Sequence, residues 1–115
     1  MGRRQTVILE LGGTTTAAGA LTLRTNRLRA GQTLAVQVVS FRSEDADKVY
    51  AEVGVERGST FSRIETVYME NKDRTYNCHR QVWVESDAQL RIDISTEEGA
   101  SPIYAWVFGY LQDDL

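Results

Sequence analysis

The chain has few of the residues that staple, kink or catalyse: of 115 residues, one is cysteine, one is proline and one is histidine. With Cys78 alone, no intramolecular disulfide and no CxxC metal or redox pair can form. This fits synthesis in a reducing compartment. With His79 alone, a Ser-His-Asp triad has one imidazole to use. His79 and Cys78 are neighbours on a predicted strand and point to opposite faces, so they make no local thiolate–imidazole pair. Zinc sites need three or four Cys, His or carboxylate ligands, and the usual soft set is missing. Long hydrophobic runs are missing too. No segment approaches the roughly 18 apolar residues of a membrane span. The first apolar run, Val7-Ile8-Leu9, ends at Glu10 and is too short for the core of a secretory leader. Met1-Gly2 followed by Thr6 fits the bare N-myristoylation pattern, which nothing else in the chain supports.

The nucleophile elbow G-x-S-x-G is absent, as are the phosphate-cradling G-x-x-x-x-G-K and G-x-G-x-x-G patterns. Gly12-Gly13 has no predicted helix behind it. The acidic stretch Glu44-Asp45-Ala46-Asp47 has oxygen ligands for calcium but lacks EF-hand spacing and glycine, so a solvated loop is expected. No pair of carboxylates stands out for glycoside hydrolysis. The chain is therefore expected to be no enzyme and to carry no cofactor and no metal.

The charge balance is acidic, with formal net charge −3 and pI near 5.1. That argues against non-specific nucleic-acid binding. Arg3 and Arg4 open the chain, and Arg24, Arg27 and Arg29 cluster. The high ratio of Arg to Lys suits bidentate contacts to carboxylates, at an interface or across a solvated surface. With 42% hydrophobic and 25% charged residues, the composition is that of a folded domain rather than a disordered or collagen-like chain. The length fits one domain spanning 1–115.

The hydrophobic period is two almost throughout, which predicts strands and no helix. Expected strands are Val7–Leu11, a region around Leu21 and Leu23 reaching toward Leu28, Leu34–Phe41, Val49–Val55, Phe61–Met69, Tyr76–Glu85, Leu90–Ile94 and Ile103–Leu111. The small residues Gly12 to Gly19 predict a mobile loop. Leu34, Val36 and Val38 share one phase while Val39 and Phe41 take the other, which predicts a β-bulge. Pro102 cannot donate to a ladder and suits the start of the last strand. About eight short strands with recurrent turns predict an all-β, two-sheet antiparallel sandwich, jelly-roll-like. An immunoglobulin-like sandwich is the other arrangement, without the paired cysteines of its antibody version.

Ile103-Tyr104-Ala105-Trp106-Val107-Phe108-Gly109-Tyr110-Leu111 carries no charge. As a strand it presents Ile103, Ala105, Val107 and Leu111 on one side and Tyr104, Trp106, Phe108 and Tyr110 on the other. Neither side suits open water, so the strand is expected inside its sheet with both faces covered. The aromatic side, with Trp83 and Tyr50 as neighbours, has three uses: the domain's own core, a subunit interface, or a stacking platform for sugar rings. The interface candidates are Arg3, Arg4, Trp83, Tyr104, Trp106, Phe108 and Tyr110.

Three stretches carry a resemblance. They are the opening Met1-Gly2-Arg3-Arg4, the phrase Leu28-Arg29-Ala30-Gly31-Gln32-Thr33-Leu34-Ala35-Val36 with glycine at a turn before an alternating strand, and the aromatic end Tyr104 to Tyr110. Together they resemble the small β-sandwich structural proteins of bacteriophage virions, such as capsid cement (decoration) proteins. That resemblance implies a non-enzymatic virion component, assembled in the host cytoplasm, that self-associates and clamps onto capsid subunits or other virion proteins. It further implies a short, mobile basic N-terminal arm at Arg3 and Arg4. A trimer is the expected homo-oligomer. The alternative is a carbohydrate-binding module or adhesin-type sandwich with a glycan as ligand. No membrane partner is expected.

Overall fold

The computed structural model of the chain describes residues 3–113, which form nine strands: β1 (Arg3–Thr14), β2 (Ala20–Arg24), β3 (Gln32–Ser43), β4 (Val49–Arg57), β5 (Thr60–Met69), β6 (Thr75–Cys78), β7 (Val82–Val84), β8 (Ala88–Thr96) and β9 (Pro102–Asp113). No helix occurs among the described residues.

The strands form two antiparallel sheets. One has the order β1-β9-β3-β6, with β7 also paired to β3, and the other the order β2-β8-β4-β5. Both β6 and β7 pair with the same edge of β3, so together they act as one interrupted strand. Counted that way, eight strands lie four to a sheet in jelly-roll order, the chain crossing between the sheets at every connection except the β4–β5 hairpin. The interruption at His79–Gln81 is a correction: Tyr76 to Glu85 was expected as one strand, and His79 lies exposed in the break rather than on a strand.

Alternation explains the core. On β8, Leu90, Ile92 and Ile94 point inward and are buried. On β4, Val49, Ala51 and Val53 do the same, and on β9, Ile103, Ala105 and Val107. Phe41 fills the space opposite the small Ala105 on one side and beside Tyr76 on the other. The phase switch in β3 is a bulge, because its register on β9 shifts between Val36 and Val38. Leu34 and Val36 before the shift and Val39 and Phe41 after it all reach the core as a result. A second register shift, between Val53 and Gly54 on the β4–β5 ladder, accounts for the irregular phase of Phe61 to Met69.

Two expectations near the start of the chain are corrected. β1 runs well past Leu11: Gly12, Gly13 and Thr14 pair with Tyr104, Ile103 and Pro102, so the expected loop begins only at Thr15. Glycines have no side chain to show a period, and β9 is long enough to keep pairing with them. Arg3 and Arg4 are rungs of the same ladder, opposite Asp113 and Gln112, rather than part of an arm. Met1 and Gly2, with the myristoylation pattern they open, lie outside the described residues.

Candidate functional site

As expected for an interior strand, β9 lies between β1 and β3. Its two faces differ sharply. The side bearing Ile103, Ala105, Val107 and Gly109 is buried in the sandwich, while Tyr104, Trp106, Phe108 and Tyr110 line the outer surface. The aromatic side is therefore not this domain's core, which removes one of the three uses left open by the sequence.

Neighbouring strands extend the aromatic row. Tyr110 pairs with Ala35 on β3 and Thr6 on β1, Phe108 with Val38 and Ile8, and Trp106 with Ser40 and Glu10. Apart from Glu10, these neighbours are small or β-branched and leave the rings partly exposed. Trp83 on β7, opposite Ala35, completes the row at the far edge; its ring meets Tyr110 edge-on at 6.3 Å. Tyr104 and Trp106 are stacked, with centroids 6.3 Å apart and planes inclined by 28°. Trp83 is 54% exposed, Tyr104 37% and Ile8 62%. Six large apolar side chains on one sheet face form a patch that a lone soluble protomer rarely leaves open.

Of the predicted interface residues, the fold brings Arg4, Trp83, Tyr104, Trp106, Phe108 and Tyr110 onto this face. The Arg4 guanidinium lies over the Tyr110 ring, 4.2 Å from its centroid, a cation–π contact. Arg3 sits one residue earlier, so its side chain points to the other face of the sheet. Tyr50, expected as a neighbour, is on the other sheet, stacked on Tyr68 at 4.7 Å. Ile8 was missed as a surface residue, because Val7-Ile8-Leu9 reads as one apolar run until its parity on β1 is known.

The outer face of the four-stranded sheet is chemically different. Glu56 on β4 lies among Arg24 on β2 and Arg91 and Gln89 on β8. Arg24 Nε donates to it at 2.8 Å, Arg91 Nη1 at 2.7 Å and Gln89 Nε2 at 2.5 Å. Arg91 also holds Asp93 through two bonds of 2.9 Å and lies over the Phe61 ring at 4.4 Å. The expected wet face of β4 is thus covered at Glu56, which is 8% exposed. Two acids answer two arginines, so the cluster is a neutral clasp across three strands.

The hydrogen bond from Arg24, then that from Gln89, outweigh burial and hold the Glu56 carboxyl down to about 2 from an ordinary 4.5. A carboxyl held low in the folded state stabilises the fold fully above its unfolded value and loses that effect as pH falls through the folded one. Glu56→Gln should therefore lower stability most above pH 4.5, with the gap to the native chain closing as pH approaches about 2. Urea melts of both proteins across that interval measure it; a gap independent of pH would contradict the assignment.

Nucleophilic chemistry finds little support among the described residues. Cys78 is buried, and burial pushes its thiol above the ordinary 9.0. Among the same residues no group of three or more His, Cys, Asp or Glu is placed to hold a metal ion. Asp47, in the acidic loop, accepts a bond from the backbone N–H of Lys72 at 2.8 Å, tying that loop to residues 70–74.

No protein-family model matches the chain, and no curated protein matches it. Among solved structures it is similar to a protein of Bacillus endospore appendages, described as disulfide-linked pili, with TM-score 0.58, 10% identity and coverage of 100% of this chain and 91% of that one. It is also similar to a chain of infectious bursal disease virus, Gx strain, with TM-score 0.55 and 10% identity; the match covers 96% of this chain and 32% of that one, about a third of its length. At such identity the likeness is one of fold. Both support the sandwich architecture.

Proposed function

We propose that this chain is a non-enzymatic structural subunit, a capsid cement or decoration protein or another minor virion component of a bacteriophage, that self-associates and binds capsid subunits through the outer face of the five-stranded sheet. The observation that carries this is the outer-face row of Trp83, Tyr104, Trp106, Phe108 and Tyr110 with Ile8 beside it, in which Trp83, Tyr104 and Ile8 are exposed and the other rings partly so. Aromatic residues are enriched where subunits meet, and a few of them dominate binding. The fold is shared with a protein of Bacillus endospore appendages, described as pili, and with a chain of infectious bursal disease virus. A trimer is the favoured state, and the virion, assembled in the host cytoplasm, the favoured location.

Light scattering on a sizing column at micromolar concentration should show an oligomer. Replacing Trp83 and Tyr104 by serine should weaken association by at least about tenfold. Each substitution removes one exposed ring contact, so stability should fall by about 0.5–1.5 kcal/mol per site. A strict monomer without affinity for any capsid would sink the reading.

One observation favours a second reading as a carbohydrate-binding module or adhesin. The stacked Tyr104 and Trp106 rings, 28° apart, lie on the outer face of the sheet, where aromatic rings of this kind can stack on sugars. A shift of tryptophan fluorescence on titration with a glycan panel would support it, and silence across the panel would remove it.

A further inference from the structure

Sheet edges decide how a sandwich meets its copies, because an edge strand offers a row of unpaired N–H and C=O groups. Three of the four edges here are blunted. β2 is five residues long. β5 carries a register shift and the charged Arg63 and Glu65. The far edge of β3 is capped by two short strands with a break between them. β1 is neither short, nor shifted in register, nor interrupted, and the charges on its free edge, Arg4 and Glu10, are of opposite sign. It is 12 residues long, has a continuous register on β9, contains no proline, and among the described residues pairs with nothing on its other side. Beneath it the sandwich is open: a groove of about 560 Å³ runs between β1 and residues 24–29, lined in part by Val7, Leu9, Leu11 and Leu28.

The parity of the free groups is fixed. The Thr15 N–H donates to the Ser101 carbonyl at 3.0 Å. Alternation then turns the odd-numbered backbone groups of β1 toward β9 and the even-numbered ones toward the free edge. Arg4, Thr6, Ile8, Glu10 and Gly12 therefore hold the free backbone groups, and the first four of them also carry the outward side chains.

We propose that β1 pairs antiparallel with β1 of a second copy, about a twofold axis at Val7, joining two five-stranded sheets into one. This register sets Arg4 opposite Glu10 of the other copy, and Glu10 opposite its Arg4. Thr6 lies opposite Ile8, and the two Ile8 side chains become diagonal neighbours across the axis. Centring on Thr6, Ile8 or Leu9 instead sets Arg4 opposite Ile8, Gly12 or Thr14, so only the Val7 register opposes the two charges. Glu10 makes no ion pair among the described residues, so it is available for this contact. The register also keeps Ile8, the most exposed of the large apolar side chains, at the centre of the new contact. The pairing brings the two aromatic faces onto one continuous surface. It deepens the self-association proposed above, and it is a twofold contact distinct from any threefold contact made by the aromatic face.

Sedimentation equilibrium from micromolar to submillimolar concentration tests it, run on the full chain carrying Trp83→Ser and Tyr104→Ser so that edge pairing is read alone. A dimer is expected. Arg4→Glu or Glu10→Arg should each weaken it roughly tenfold or more, since each sets like charges opposite one another twice. An equimolar mixture of these two variants should recover the dimer, because each chain then meets the opposite charge at both positions. Recovery also rules out damage to folding, or loss of the Arg4–Tyr110 contact, as the cause. If the Trp83 and Tyr104 substitutions abolish all association, or the charge reversals change nothing, the edge proposal falls while self-association through the aromatic face stands. If the native chain is itself a monomer throughout, both fall.

Discussion

Gly109→Ala is expected to destabilise the fold by at least about 3 kcal/mol and lower its melting temperature by roughly 10–20 °C. Gly109 lies on the buried side of β9, opposite Val36 on β3, just where the bulge begins. A methyl group there would stand 2.0 Å from the Ala35 carbonyl oxygen, 3.0 Å from its carbon and 3.1 Å from the Val36 Cα. These are backbone atoms, so no side-chain rotation relieves the contact. β3 cannot slide away either, because at this point it is held by β9 on one edge and by β7, through Ala35 opposite Trp83 and Val36 opposite Val82, on the other. Either β9 must shift out of register or the bulge must open, and both expose the core. Thermal and urea unfolding of the variant measure the effect. A melting temperature within a few degrees of the native chain would mean that the strands yield at the bulge, against the rigidity argued here.

Phe41→Ala should remove about 3–5 kcal/mol. Phe41 has no exposed surface and is the largest of the fully buried side chains. Its bulk is matched by the small Ala105 opposite it, so removing the ring leaves a void that no neighbour is shaped to fill. Phe41→Leu, which keeps more of the volume, should lose distinctly less. Equal losses for the two variants in urea melts would argue that the core collapses around the site.

Much of this architecture is legible in the chain because the period of two survives wherever one face is buried. Leu90-Arg91-Ile92-Asp93-Ile94 says inside and outside without help, and the phase switch between Val36 and Val39 announces the bulge. Legibility fails where the local pattern is silent. Gly12 and Gly13 have no side chains to alternate, so the length of β1 followed from its partner β9 rather than from its own residues. The break at His79–Gln81 interrupts a stretch whose alternation continues across it. Glu56, Arg24 and Arg91 look like three ordinary surface charges; they share a clasp only because β2, β8 and β4 are adjacent, and no spacing in the chain records that adjacency.

The candidate site divides in the same way. Alternation alone separated Tyr104, Trp106, Phe108 and Tyr110 from Ile103, Ala105 and Val107, since successive side chains on a strand must point to opposite faces. It could not say which set faces the second sheet, because both are apolar and burial favours either. The tertiary structure decided it: the aliphatic set fits the narrow space against the four-stranded sheet, where Gly109 and Ala105 admit the β3 backbone and Phe41, and four rings would not. Strand order, likewise a matter of long-range pairing, left β1 on the open side of β9. That placement makes Arg4, Ile8 and Glu10 members of an edge, a role that nothing in their own segment encodes.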